Sequence, residues 1–157
     1  MSSGEISLST LLKDTGAKLI PGEYVYCSFD SSRYGDRKEL EPLASYQEEE
    51  GLSLLISKQK ADERGLKYSC VLKGITLSVN SSLEAVGFTA EISRRLAGAN
   101  IPANVVAGHF HDHIFVPTNQ AEVALELLTS SKNSVSYTHL RAHETRHDLV
   151  CRLLLEK

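Results

Sequence analysis

The segment GITLSVN carries Ile75, Leu77 and Val79 at alternating positions. A period of two puts all three on one face of a strand. Beyond it the period changes. Ala85, Phe88, Ile92, Leu96 and Ala99 recur at three- and four-residue steps, the stripe of a helix packed on a core. That helix is predicted from Ser81, which forms an S-x-x-E capping box with Glu84, to about Gly98. NVVAGHF (104–110) and HIFVP (113–117) read as two strands around a tight turn. A last helix, capped by Thr118 or Asn119, should bury Ala121, Ala124, Leu125 and Leu128. The order β-α-β-β-α is the core of a ferredoxin-like α+β unit.

The first half offers comparable elements. ISLSTLLKD (6–14) reads as a short amphipathic helix, Pro21-Gly22 as a turn and EYVYCSF (23–29) as a strand. The polar stretch 31–42 reads as a loop. PLASYQEEEG (42–51) reads as a helix stopped by Gly51, LSLLIS (52–57) as a strand, and KQKADERG (58–65) as a charged surface helix ended by Gly65. Two ferredoxin-like units in tandem follow, although no residue-level repeat is visible.

Composition narrows the class. Apolar residues make up 41% and charged residues 24% of the 157, with a net charge of -3. This is the balance of a globular domain, with no basic excess to draw nucleic acid or an anionic membrane surface. No apolar run approaches the roughly 18 residues that span a bilayer, and the N-terminus lacks the pattern of a signal peptide. Cys27, Cys70 and Cys151 share no CxxC spacing, which fits free, buried thiols in a reducing cytoplasm. No nucleic-acid or membrane partner and no cofactor is expected.

Two features carry candidate chemistry. The predicted turn after Val79 leads into a helix start, where unsatisfied backbone N–H groups and the helix dipole favour an anion such as a carboxylate. Ser81 and Ser82 add hydroxyls there. The other reading is structural: Ser81 only caps the helix. The second feature is HFHDH. His109, His111 and His113 would share a face of a continuous strand and, with Asp112, could ligate a metal. A turn between the two strands would break that alternation, leaving Asp112 to shape the turn. A role in binding an effector or a neighbouring subunit stands between these readings.

Several segments resemble a known family. EGLSLLISKQKAD, ITLSVNSSLEAVGFTAEISRRLAGANIPANVVAGHFHDHIFVP and AEVALELL, preceded by PGEYVYCSF, are similar to small ACT domain-containing proteins, related to the CASTOR-type amino-acid sensors. The resemblance covers roughly residues 5 to 130. It implies an α+β fold of two ferredoxin-like (ACT-type) subdomains, with antiparallel sheets and helices packed on one face. The expected boundaries are 5–66 and 67–132. It also implies a non-catalytic, regulatory protein of the cytoplasm that binds a small effector, an amino acid, and forms a homodimer. Gly87 matches the position where ACT domains keep glycine, and without a Cβ a ligand or a neighbouring backbone can come close. The alternative is that Gly87 only lets the helix pack on the sheet. The candidate ligand-binding residues are Asn80, Ser81, Ser82, Glu84, Val86 and Gly87, with His109 and Asp112 from HFHDH. A structural or partner-binding ACT module without ligand is the second reading.

The third reading is a metal-dependent hydrolase built on HFHDH or on HETRH (143–147). H-E-x-x-H on a helix presents two imidazoles to zinc with a glutamate as general base. Here the extended zincin pattern fails, since Val150 stands where it needs glycine, and the ten residues after His147 are too few for a subdomain bearing a third ligand. The surrounding SYTHLRAHETRHDLVCRLLLEK resembles a translated sequencing adapter rather than any ACT protein. Residues 135–157 are therefore expected to be a non-native tail and are set apart from fold reasoning.

Overall fold

The computed structural model describes residues 15–78 and 86–130. Strands β1 (Lys18–Leu19), β2 (Tyr24–Asp30), β3 (Ala44–Gln47), β4 (Gly51–Ser57) and helix α1 (Lys58–Glu63) come from the first half. The second half supplies β5 (Leu72–Leu77), α2 (Phe88–Gly98), β6 (Asn104–Ala107), β7 (Asp112–Pro117) and α3 (Ala121–Thr129). All strands join one antiparallel sheet in the order β3-β4-β2-β5-β7-β6, with β1 beside β5. The halves meet where Tyr24 of β2 pairs with Leu72 of β5.

Register assigns the faces. Tyr24 and Leu72 are partners, so their side chains share a face and their neighbours along each strand share the other. Val25 and Cys27 fall on that other face, and with Leu52, Leu54 and Ile56 of β4 they pack beneath Ala61 of α1 and Leu40. Ile75, Leu77, Ile114 and Val116 fall on it too, under Phe88, Ile92 and Leu96 of α2 and Ala121, Ala124 and Leu128 of α3. Each fully buried Val, Leu, Ile or Phe among them contributes about 1.5–3 kcal/mol. The helices therefore lie on one face of an α+β sheet, as the sequence predicts. The opposite face carries a smaller apolar cluster of Leu55, Leu72 and Phe115, with Ile20 and Tyr24 against it.

The N-terminal strand is shared between the halves. Lys18 pairs with Thr76 and Leu19 with Ile75, while Ala17 and Leu19 pack on the second half's core. Thr15 is buried and its hydroxyl donates to Leu128 O at 2.7 Å. The chain then bends at Pro21-Gly22, where Gly22 has φ +87°, and continues as β2.

Five expectations are corrected. Residues 42–51 are a strand and a hairpin, not a helix: Ala44–Gln47 pairs with Leu52–Leu55, and Glu48 and Gly51 exchange backbone hydrogen bonds. Gly51 has φ +149°, and a Cβ there would meet Phe29 O at 2.3 Å, so it is a hairpin glycine and not a helix stop. The helix of the second half begins at Phe88, because Val86 and Gly87 form a turn and Gly87 has φ +93°. Its stripe ends at Leu96, since Ala99 is exposed, and Leu125 of α3 is only half-buried. Thr118 donates its hydroxyl to Val71 O at 3.3 Å, and neither it nor Asn119 caps α3, whose flanking residue Gln120 makes no side-chain cap. The predicted helix at 6–14, Val79, the Ser81–Glu84 capping box and the whole of 135–157, HETRH included, lie outside the described residues.

Candidate functional site

β5 leaves the sheet at Leu77, which is paired with Asp112 of β7, and Asp112 is paired in turn with Ala107 of β6. One residue inward, Thr76, His113 and Val106 form the next row. The exit of β5 and the β6–β7 turn thus belong to one end of the sheet. Asn80, Ser81, Ser82 and Glu84 follow this exit but lie outside the described residues. Val86 is 92% exposed. Gly87 holds its left-handed φ of +93° immediately before α2, and its carbonyl accepts the Glu91 N–H at 3.0 Å.

The HFHDH segment does not form a continuous strand. β6 stops at Ala107 and β7 begins at Asp112, with Gly108 N donating to His111 O at 3.0 Å across the turn. This is the break that the turn reading anticipates, though Asp112 itself sits in the ladder. His109 stacks edge-on against Phe110, ring centroids 4.7 Å apart. Phe110 is 67% exposed, so the tip of the turn faces solvent.

His113, which the sequence offers only as a candidate metal ligand, and Thr76, which it does not single out, form the best-defined polar contact at this end. His113 Nδ1 and Thr76 Oγ1 are hydrogen-bonded at 2.9 Å. Burial pushes the His113 ring below the usual histidine range, the charge of His111 pushes it further, and Asp112 opposes both. His111 Nδ1 is buried without a hydrogen-bond partner. Only the cross-strand register brings Thr76 to His113, and no local signal encodes it. Among the described residues no group of three or more His, Cys, Asp or Glu side chains is placed to hold a metal ion.

The concavities lie elsewhere. One of about 520 Å³ is lined by Pro21–Tyr24, Ser57, Lys58, Gln59, Asp62 and Glu63, near the Leu72 end of β5 and so away from Leu77. Much of its polar lining is already paired: Lys58 with Asp62 at 2.6 Å, Gln59 with Glu63 at 2.8 Å, and the Tyr24 hydroxyl with Pro21 O at 3.0 Å. A second, of about 260 Å³, is lined by Ser31–Arg33 and Gln47–Gly51. The larger volume and the richer chemistry do not coincide. The exit of β5 lies beside the His113–Thr76 pair and the buried His111 Nδ1.

Comparison with known proteins gives a consistent family. An ACT domain model matches residues 3–73, and a second ACT domain model matches residues 72–130. A Vibrio cholerae protein of unknown function, described as a possible transport protein, is 45% identical in sequence. That match covers 81% of this chain and 96% of the other, with a TM-score of 0.72. An Agobacterium tumefaciens protein superposes with a TM-score of 0.60 at 16% identity, covering 73% of this chain and 87% of that one. The ligand-free regulatory subunit of aspartate kinase from Thermus thermophilus superposes with a TM-score of 0.57 at 10% identity, covering 78% and 99% of the two chains. These last two are likenesses of fold. No curated protein matches the sequence. Among the described residues no helix is long and apolar enough to cross a membrane.

Proposed function

The chain is a member of the ACT domain family, with two ACT domains in tandem, and on that premise we propose that it is a non-catalytic regulatory module that binds a small effector, an amino acid. The observation that carries the proposal is Gly87, left-handed at φ +93° and placed directly before α2. A helix start presents backbone N–H groups and the positive end of the dipole, which suit a carboxylate. A glycine there leaves the approach open. The proposed site comprises Asn80, Ser81, Ser82, Glu84, Val86 and Gly87, with His109 and Asp112 contributed from the neighbouring turn and strand. A regulatory subunit among the structural neighbours supports the regulatory part of the reading. A cytoplasmic homodimer is proposed with it, so that effector binding acts by favouring one assembly state.

A partner-binding module without a small ligand is the second reading. It is favoured by one observation: neither concavity borders Val86, Gly87, His109 or Asp112. A thermal-shift screen of the whole chain against the common amino acids separates the two. An effector at a hundred times its Kd stabilises the folded state by about 2.7 kcal/mol, a rise of several degrees in Tm. No rise with any amino acid sinks the effector reading and leaves the partner-binding one.

A further inference from the structure

We propose that His111 and His113 form a proton-operated switch that opens the β6–β7 turn on acidification. The two residues stand two apart where the turn meets β7. His113 belongs to the sheet: its neighbours across the ladder are Thr76 of β5 and Val106 of β6. Its Nδ1 is hydrogen-bonded to Thr76 Oγ1, and its ring lies within 3.7 Å of where a Cβ on Gly108 would be. His111 belongs to the turn. Its buried Nδ1 has no partner, so nothing in the fold specifically retains its ring through that atom. The charge of His111 is felt at His113.

Two imidazolium rings in this arrangement repel each other, and one of them must move. His113 is fixed in the ladder between β5 and β6. The turn is held by the bond from Gly108 N to His111 O, and its tip, with Phe110 67% exposed, has little buried surface to retain it. The repulsion therefore displaces His111 and with it the turn. The other charged groups near the pair are Asp112, between the two in sequence, which opposes the repulsion, and Lys18 of β1, which lies across Thr76 in the same row. His109, at the exposed tip, stacks on Phe110 and is carried with the turn. The same end of the sheet holds the exit of β5. The switch operates without an effector and does not depend on the effector reading.

The test is an NMR titration of the labelled whole chain, without added ligand, from about pH 8 to about pH 5. The His113 ring should titrate below 6.5. The Gly108, His109 and Phe110 amides should shift with the same midpoint, and the Gly108 amide should lose its protection from hydrogen exchange. Protection at the core amides of Ile75, Ile114 and Leu54 should persist. His111→Gln and His113→Gln should each abolish the transition of the turn while far-UV circular dichroism is unchanged. His111→Gln serves alone if His113→Gln fails to fold. Turn amides that do not move, a transition that survives in His111→Gln, or simultaneous loss of protection throughout the chain would each overturn the proposal.

Discussion

Replacing Glu91 by Gln should destabilise the protein at neutral pH and leave it unaffected near pH 2. Glu91 stands in the first turn of α2 and takes a bidentate contact from Arg94, with Nε and Nη2 both at 2.8 Å. Arg95 Nε donates to the same carboxylate at 3.0 Å, and Arg95 Nη1 donates onward to Ser130 O beyond α3 at 3.2 Å. One carboxylate thus aligns the guanidinium that ties α2 to the end of α3. Arg94, first, and then Arg95 hold the Glu91 carboxyl down at about 2, against an ordinary 4.5. By linkage that shift is worth about 3 kcal/mol at most. The Arg94 side chain is 43% exposed, and solvent screens such a pair. A loss of about 1–2 kcal/mol is expected for Glu91→Gln at pH 7. The folded value lies below the unfolded one, so the contribution is fully present above 4.5 and is lost as pH falls to about 2. Urea denaturation of both proteins at several pH values measures it. Equal stabilities at pH 7, or a difference that persists undiminished at pH 2, would refute the reasoning.

Two further substitutions probe the frame. Gly51→Ala sets a Cβ 2.3 Å from Phe29 O with φ at +149°, so the β2–β4 ladder must give way; a loss of about 2–4 kcal/mol is expected in denaturant unfolding, and a loss below about 0.5 kcal/mol would show that the hairpin relaxes freely. Thr15→Val removes the hydroxyl that donates to Leu128 O at 2.7 Å and leaves that carbonyl buried without this donor, at about 1–3 kcal/mol. Hydrogen exchange should weaken in both halves, and an effect confined to α3 would contradict the shared-strand architecture.

The elements legible in the sequence are those that bury one face at their own period. Ile75 and Leu77 mark β5, and Phe88, Ile92 and Leu96 mark α2; all five are buried. β3 was illegible because it is an edge strand. Among the described residues it pairs only with β4, its residues Ser45, Tyr46 and Gln47 are exposed, and the Glu48–Glu50 run beside it suits a helix by propensity. Non-local pairing overrode that propensity. At the candidate site, the glycine was legible and the histidine contact was not. Gly87 is singled out by the family resemblance, since the helical stripe is predicted to run through it. The pairing of Thr76 with His113 depends on how two distant segments align, which neither segment encodes alone.

The tandem arrangement was expected without a residue-level repeat, and the sheet explains why none is needed. The order β3-β4-β2-β5-β7-β6 reads alike from both edges when β2 is matched with β5, β3 with β6 and β4 with β7. α1 then matches α3, and the one-turn helix at Lys38–Leu40 stands where the second half has α2. What repeats is strand pairing and the buried face, and many residue sets satisfy both. β1 breaks this symmetry. It precedes β2 in the chain yet pairs with β5, and Ser78 N, just beyond β5, donates to Gly16 O at 3.4 Å. The segment that enters the first half therefore completes the sheet of the second. Displacement of the β5 exit pulls on Gly16, and through β1 and the Pro21-Gly22 bend on β2. The two halves share a strand, so neither can loosen at that end without disturbing the other.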